Sequence, residues 1–156
     1  MCSEYESPQA EMFVERFGLE MPEFPEPEMF FGRTGVYVRR PPELDSGDEA
    51  VPPLQAQLGR WGLVPRATRP EQLEKQLKLS TFNARADRVA KSFSFGAAWR
   101  GAQRCIVPAT AIYEPDWRSG KAVRTRFTHV DGKLLNIAGL WSNWNCLLYT
   151  SPSPRD

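Results

Sequence analysis

A disulfide framework, a metal-binding spacing and a long apolar run are all missing from this 156-residue chain. Its three cysteines, Cys2, Cys105 and Cys146, are odd in number and far apart. That pattern excludes a stapled secreted scaffold and fits a reducing compartment. His129 is the only histidine, and no two cysteines have metal-ligand spacing, so neither a zinc site nor any other cofactor is expected. No apolar stretch approaches the ~18 residues that cross a bilayer. No basic segment leads into an apolar one at the start, so no leader peptide is read there. The expected setting is therefore the cytoplasm, away from membranes and beside the nucleoid if the source is bacterial. A glycine-rich phosphate loop and an internal repeat are also absent.

What is present suits one globular domain with a core: 41% apolar and 25% charged residues. The formal net charge of +1 conceals an asymmetry. Residues 1–59 carry 4 basic and 12 acidic side chains, a balance of −8; residues 60–128 carry 14 basic and 5 acidic, a balance of +9. Many of these cations adjoin rings: Arg60-Trp61, Phe82 with Arg85 and Arg88, Trp99-Arg100, Trp117-Arg118 and Arg126-Phe127. Interleaved cations and aromatics suit a groove that tracks phosphates while bases stack. They equally suit solvated strand faces with snorkelling arginines, and composition does not separate the two.

Cysteine follows the initiator methionine. A small penultimate side chain lets that methionine be removed, leaving Cys2 with a free α-amine and a thiol on adjacent carbons. Such a 1,2-aminothiol can take an aldehyde as a Schiff base and close the thiol onto it as a thiazolidine. An α-amine titrates near pH ~8, against ~10.4 for lysine, so more of it is free base at neutral pH. The ring closes within one residue, at a very high effective concentration of thiol. Taken alone, a cysteine at position 2 reads as a surface residue with no role.

The pattern predicts an α+β fold: a mixed, mainly antiparallel sheet or barrel with peripheral helices. Ser7 as cap, Pro8 at the first turn and Gly18 as stop predict a short amphipathic helix. Residues 21–28 alternate proline and glutamate, as in an extended connector. Strands are expected over Gly35–Arg40, Gly59–Val64, Arg104–Val107 and Ala109–Tyr113, and a polar loop over Pro41–Pro53. Pro70–Leu77 is expected to be helical, with weaker helical turns at Ala84–Ala90 and Ser94–Trp99. Asp131-Gly132 predicts a tight hairpin joining Val123–Val130 to Lys133–Trp141. Residues 1–145 are read as one domain. From residue 146 onward the pattern breaks, and this tail is expected to be non-native or disordered. The domain is therefore expected to be incomplete at its C-terminus.

Five blocks occur in order: Met1-Cys2, Arg60-Trp61-Gly62-Leu63-Val64-Pro65, Phe82-Asn83-Ala84-Arg85-Ala86-Asp87, Arg104-Cys105-Ile106-Val107-Pro108-Ala109 running into Ile112-Tyr113-Glu114, and Ile137-Ala138-Gly139-Leu140-Trp141. No single block is specific, but their ordered combination, from residue 1 to about 144, resembles the SOS response-associated peptidase (SRAP) family, the abasic-site processing proteins. The resemblance implies an SRAP-like fold and a monomer that binds single-stranded DNA. It also implies covalent shielding of abasic sites through a thiazolidine with the open-chain sugar aldehyde, and a peptidase activity that removes its own Met1.

Carried over by position, Cys2 would be the crosslinking nucleophile. Asn83 would hydrogen-bond near the ring and sugar, where a neutral amide donates and accepts without titrating. Arg85 would grip the phosphate beside the lesion. Glu114 would shuttle protons during ring closure and reversal. Arg60 and Trp61 would belong to the DNA-facing surface, the indole stacking on a base. The chain departs from the family pattern in two places. Pro115 stands where the family has a tryptophan after the glutamate, and the family's C-terminal histidine and Arg-Met-Pro signature are absent. His129 precedes the fifth block and cannot replace that histidine by order.

Plainer roles fit the same residues. Asn83 can cap the following turn, Arg85 can pair with Asp87 or Glu114, and Glu114 can be a solvated strand end. Trp61 and Trp141 can be core, Cys105 a buried thiol and His129 structural. Two other functions also fit: an N-terminal-nucleophile hydrolase with Cys2 attacking amides, and a noncovalent nucleic-acid-binding module.

Overall fold

Short alternating segments build two four-stranded sheets, and every strand pair in them is antiparallel. The computed structural model describes residues 2–23 and 26–145. Met1, residues 24 and 25 of the connector and the tail from 146 onward lie outside the described residues. The strands are β1 (Glu4–Glu6), β2 (Glu28–Phe30), β3 (Thr34–Arg39), β4 (Gln55–Arg60), β5 (Arg104–Ala109), β6 (Ala111–Asp116), β7 (Val123–Phe127) and β8 (Leu135–Leu140). One sheet runs in the order β2-β1-β6-β7 and the other β4-β3-β5-β8. Among the described residues neither sheet closes into a barrel. The helices are short: α1 (Ala10–Phe17), α2 (Leu73–Leu77) and α3 (Gly96–Arg100). Among the described residues no helix is long and apolar enough to cross a membrane. The expected α+β architecture with peripheral helices is therefore present.

The sheets pack through a shared apolar layer. Tyr5 and Met29 from the first sheet meet Ala109 from the second, with Val107, Ile112, Leu135 and Ile137 packed around them. Gly35 on β3 makes this approach possible. A Cβ there would lie 2.8 Å from Met29 Cε and 3.1 Å from the Tyr5 hydroxyl. On the other face of β3, Val36 and Val38 bury the fully enclosed Phe13 of α1.

Several local expectations shift. α1 begins at Ala10 with Gln9 at its cap, while Ser7 Oγ instead donates to the Glu26 carbonyl at 2.7 Å. Gly18 ends the helix as expected, in the left-handed region at φ 63°. The strand expected over Gly59–Val64 lies earlier, because Gly62 at φ 124° breaks the extended run. Pro108 falls inside β5, not between two strands. The Asp131-Gly132 hairpin does not form. β7 pairs with β6 across a turn closed by Gly120, and β8 pairs with β5 in the other sheet. The residues between β7 and β8 are a crossover between sheets.

The outward face of the first sheet carries a charge ladder. Glu4 and Glu6 leave β1 on the side opposite Tyr5, as strand alternation requires. Arg124 Nε donates to Glu4 at 3.0 Å, and its Nη2 donates to the other carboxylate oxygen. Arg126 donates twice to Glu6, at 2.7 Å each, and the Tyr113 hydroxyl donates to Glu6 at 2.5 Å. Hydrogen bonding from Arg126 first, then from Tyr113, holds the Glu6 carboxyl at about 2, below its ordinary 4.5.

Two outcomes are expected. Gly35→Ala should cost about 1–3 kcal/mol in urea denaturation, because Met29, at 0% exposure, has nowhere to move. A carboxyl with a depressed native pKa stabilises fully above its unfolded value and loses that contribution as pH falls. Thermal melts should therefore show stability falling from about pH 4.5 toward about pH 2, with Arg126→Gln flattening that limb.

Candidate functional site at the N-terminal strand

Cys2 stands two residues before β1, so the strand's register decides where it sits. Glu4 lies opposite Tyr113 and Tyr5 opposite Ile112. Glu114 is thus one step past the end of the paired ladder, on the strand face shared by Ile112 and Tyr5. Cys2 itself is half-buried and packs against the Tyr5 cluster. Its Sγ donates to the Glu4 carbonyl at 3.3 Å. Burial pushes the Cys2 thiol above its ordinary value. The nearby carboxylates of Glu114 and Glu4 add to that rise, while a backbone hydrogen bond at Glu4 opposes it. Such a thiol keeps its proton at neutral pH.

Asn83 reaches this end of the molecule from a segment 81 residues away, and its Nδ2 donates to the Cys2 carbonyl at 2.8 Å. A relay of contacts holds it there. Leu63 N–H donates to the Thr81 carbonyl at 2.9 Å, and Trp61 Nε1 donates to the Phe82 carbonyl at 3.3 Å. The Trp61 ring meets Tyr5 edge-on at 4.9 Å and Phe82 at 5.7 Å. Trp61 therefore links β1 to the segment that carries Asn83.

Arg60 braces the same corner. Its Nη1 donates to the Gly62 carbonyl and its Nη2 to the Leu77 carbonyl, both at 3.0 Å, with the guanidinium 4.9 Å over Phe31. Both terminal nitrogens are thus engaged with backbone. Arg85 lies outside this cluster, exposed, and donates to both Asp87 oxygens at 3.1 and 3.0 Å. A surface pair of this kind is worth about 0–1 kcal/mol, so little holds Arg85 against a competing phosphate.

Cys2, Asn83, Glu114 and Trp61 are thus brought to one end of β1, with Arg60 behind them and Arg85 apart. Cys105, expected to be buried, is partly exposed, and burial still pushes its thiol up to about 12. His129 accepts the Asp131 N–H at 3.1 Å in the crossover. Among the described residues no three His, Cys, Asp or Glu side chains stand together to hold a metal ion. An open cleft of about 690 Å³ runs past Glu6, Ser7, Met21, Glu26, Glu28 and Thr110, and none of the four clustered side chains lines it. Sequence reasoning missed the part played by Glu4, whose carbonyl holds the thiol. The signal was there: Glu4-Tyr5-Glu6 and Arg124-Thr125-Arg126 alternate with the same period and opposite charge.

The chain matches the family model described as SOS response associated peptidase (SRAP) over residues 4–151. A crystal structure of a protein from Bordetella bronchiseptica is similar at a TM-score of 0.80 and 43% identity, over 92% of this chain and 64% of that one. A crystal structure from Bacteroides thetaiotaomicron shares the fold at a TM-score of 0.65 and 20% identity, over 92% of this chain and 61% of that one. The chain thus spans less than two thirds of the length of either. No curated protein matches it.

Removing the Asn83 bond should be measurable without any substrate. Asn83→Ala is expected to cost about 0.5–1.5 kcal/mol in chemical denaturation. Asn83→Asp should cost more at neutral pH, because a carboxylate cannot donate to the Cys2 carbonyl. Equal costs would remove Asn83 as an anchor of residue 2.

Proposed function

The chain belongs to the SOS response associated peptidase family, and on that basis we propose that it captures abasic sites in single-stranded DNA covalently, through Cys2 freed of Met1. The observation that carries this reading is the hydrogen bond from the Asn83 amide to the Cys2 carbonyl. It ties the backbone of residue 2 to a distant segment, beside the packing of the Cys2 side chain against the Tyr5 cluster.

The chemistry balances without a cofactor. The Cys2 α-amine adds to the sugar aldehyde, and loss of one water gives the imine. The thiol sulfur then adds to the imine carbon and its proton passes to nitrogen, closing the thiazolidine. Glu114 is suited to carry protons in both steps, since its charge is felt at the Cys2 sulfur. Asn83 keeps the Cys2 backbone still while the amine reacts. Arg85 exchanges Asp87 for a phosphate beside the lesion. The peptidase activity in the family's name fits a self-directed cleavage that releases Met1 and exposes the amine.

The test is incubation with an oligonucleotide carrying one abasic site, followed by a denaturing gel. A heat-stable shifted band is expected, absent in Cys2→Ala and formed more slowly in Glu114→Gln. Salt-sensitive binding without that band would replace this reading with a noncovalent binding module. Amide hydrolysis without DNA would replace it with an N-terminal-nucleophile hydrolase. Arg85→Ala should weaken binding and lower the salt slope by about one phosphate contact.

A further inference from the structure

Building on that reading, we propose that Arg124 and Arg126 are positioning residues, which brace the outer face of β1 and so hold Cys2 where capture occurs. β1 has only three residues, and its partner β2 is equally short. Backbone pairing alone gives such a strand a weak hold. The charge ladder supplies a second one. Glu4 and Glu6 point away from the core, yet their side chains are only 12% and 23% exposed. What covers them comes from β7, two strands away. The two arginines reach across β6, one guanidinium lying 3.6 Å over the Tyr113 ring.

The geometry is that of a diagonal brace. Tyr113 stands opposite both Glu4 and Arg126, so those three share a row. Arg126 nevertheless pairs with Glu6, and Arg124, opposite Pro115, pairs with Glu4. Both bonds therefore run aslant in the same sense, and sliding β1 along β6 disrupts both at once. A slip of one residue would also turn Tyr5 out of the core. A slip of two would keep Tyr5's face but carry Cys2 roughly 7 Å from its place.

Glu4 is where the brace meets the site. Its carboxylate takes Arg124 on the outer face, and its carbonyl accepts the Cys2 thiol at 3.3 Å. Arg124 thus acts on Cys2 through a single residue, without touching it. Bidentate guanidinium–carboxylate bonds suit this task because they fix orientation as well as distance. Arg124 and Arg126 are themselves 58% and 46% exposed. Their competing role is direct contact with DNA phosphates, and the two roles differ in what they control. A brace sets the rate of capture once DNA is bound; a phosphate contact sets how tightly DNA binds.

The experiment compares wild type, Arg124→Gln, Arg126→Gln, the double Gln variant, Arg124→Glu and the charge swap Glu4→Arg with Arg124→Glu. Single-turnover crosslinking to an abasic oligonucleotide, followed over a range of DNA concentrations, gives a maximum rate and a half-saturating concentration. Hydrogen exchange of the β1 amides is read without DNA. The double Gln variant should lose on the order of 10- to 100-fold in maximum rate, as expected for a slightly misplaced reacting group. Its half-saturation should stay about unchanged and its β1 amides should exchange faster. The charge swap should recover most of the rate that Arg124→Glu loses. The single Gln variants keep the test readable if the double one does not fold. A maximum rate that survives loss of both arginines overturns the proposal. So does a loss confined to half-saturation, which would make them phosphate ligands. If wild type forms no crosslink, the capture reading falls by itself; the brace is then judged on amide exchange, and unchanged protection overturns it.

Discussion

The placement of the N-terminal strand depends on one buried side chain. Tyr5 is 4% exposed, seated between the two sheets against Met29 and Ala109 and edge-on to Trp61. Strand alternation turns that single burial into a set of placements. Glu4 and Glu6 must face outward, where the arginines of β7 meet them. The strand must begin two residues after Cys2, where Glu4 lies opposite Tyr113. Gly35 is part of the same constraint, since only a residue without a Cβ leaves room for the Tyr5 hydroxyl and Met29 together.

The site is held from two sides by different physics. Inside, the contacts are apolar and edge-to-face: Tyr5 to Trp61 to Phe82, with the Trp61 N–H closing onto the Phe82 carbonyl. This relay fixes Asn83. Outside, the hold is ionic and bidentate. An exposed ion pair alone contributes little stability, and the burial of Tyr5 already opposes a one-residue slip; the two slanted pairs add a restraint on the opposite face. Cys2 lies where the two restraints meet, through its own carbonyl on one side and that of Glu4 on the other.

Much of this was legible in the sequence, for reasons that differ by level. Gly35–Arg40 was readable as a strand because Val36 and Val38 alternate against a buried helix face. The ordered blocks around Trp61, Asn83 and Glu114 pointed to one site, and the fold gathers three of them with Cys2. The strand over Gln55–Arg60 was obscured because its alternation, Ala56 and Leu58 between glutamines, is short and holds no β-branched or aromatic residue. The Asp131-Gly132 turn misled because a tight turn specifies only local reversal. It does not say whether the next strand returns to its neighbour or crosses to another sheet, and β6 had already taken the pairing edge of β7. β1 was too short for periodicity to register. Arg60 read as a surface cation, yet the carbonyls of Gly62 and Leu77 engage it; such contacts depend on loop geometry that composition does not encode.

The bond from Tyr113 to Glu6 joins residues 107 positions apart, and this bears on biosynthesis. At elongation rates of ~5–20 residues per second, the ribosome has made β1 roughly 5–20 seconds before its sheet partners β6 and β7 exist. During that interval β2 is the one strand partner already made, and the edge of β1 that later takes β6 stays open. Completion of the sheet around the N-terminal strand is thus delayed by topology alone.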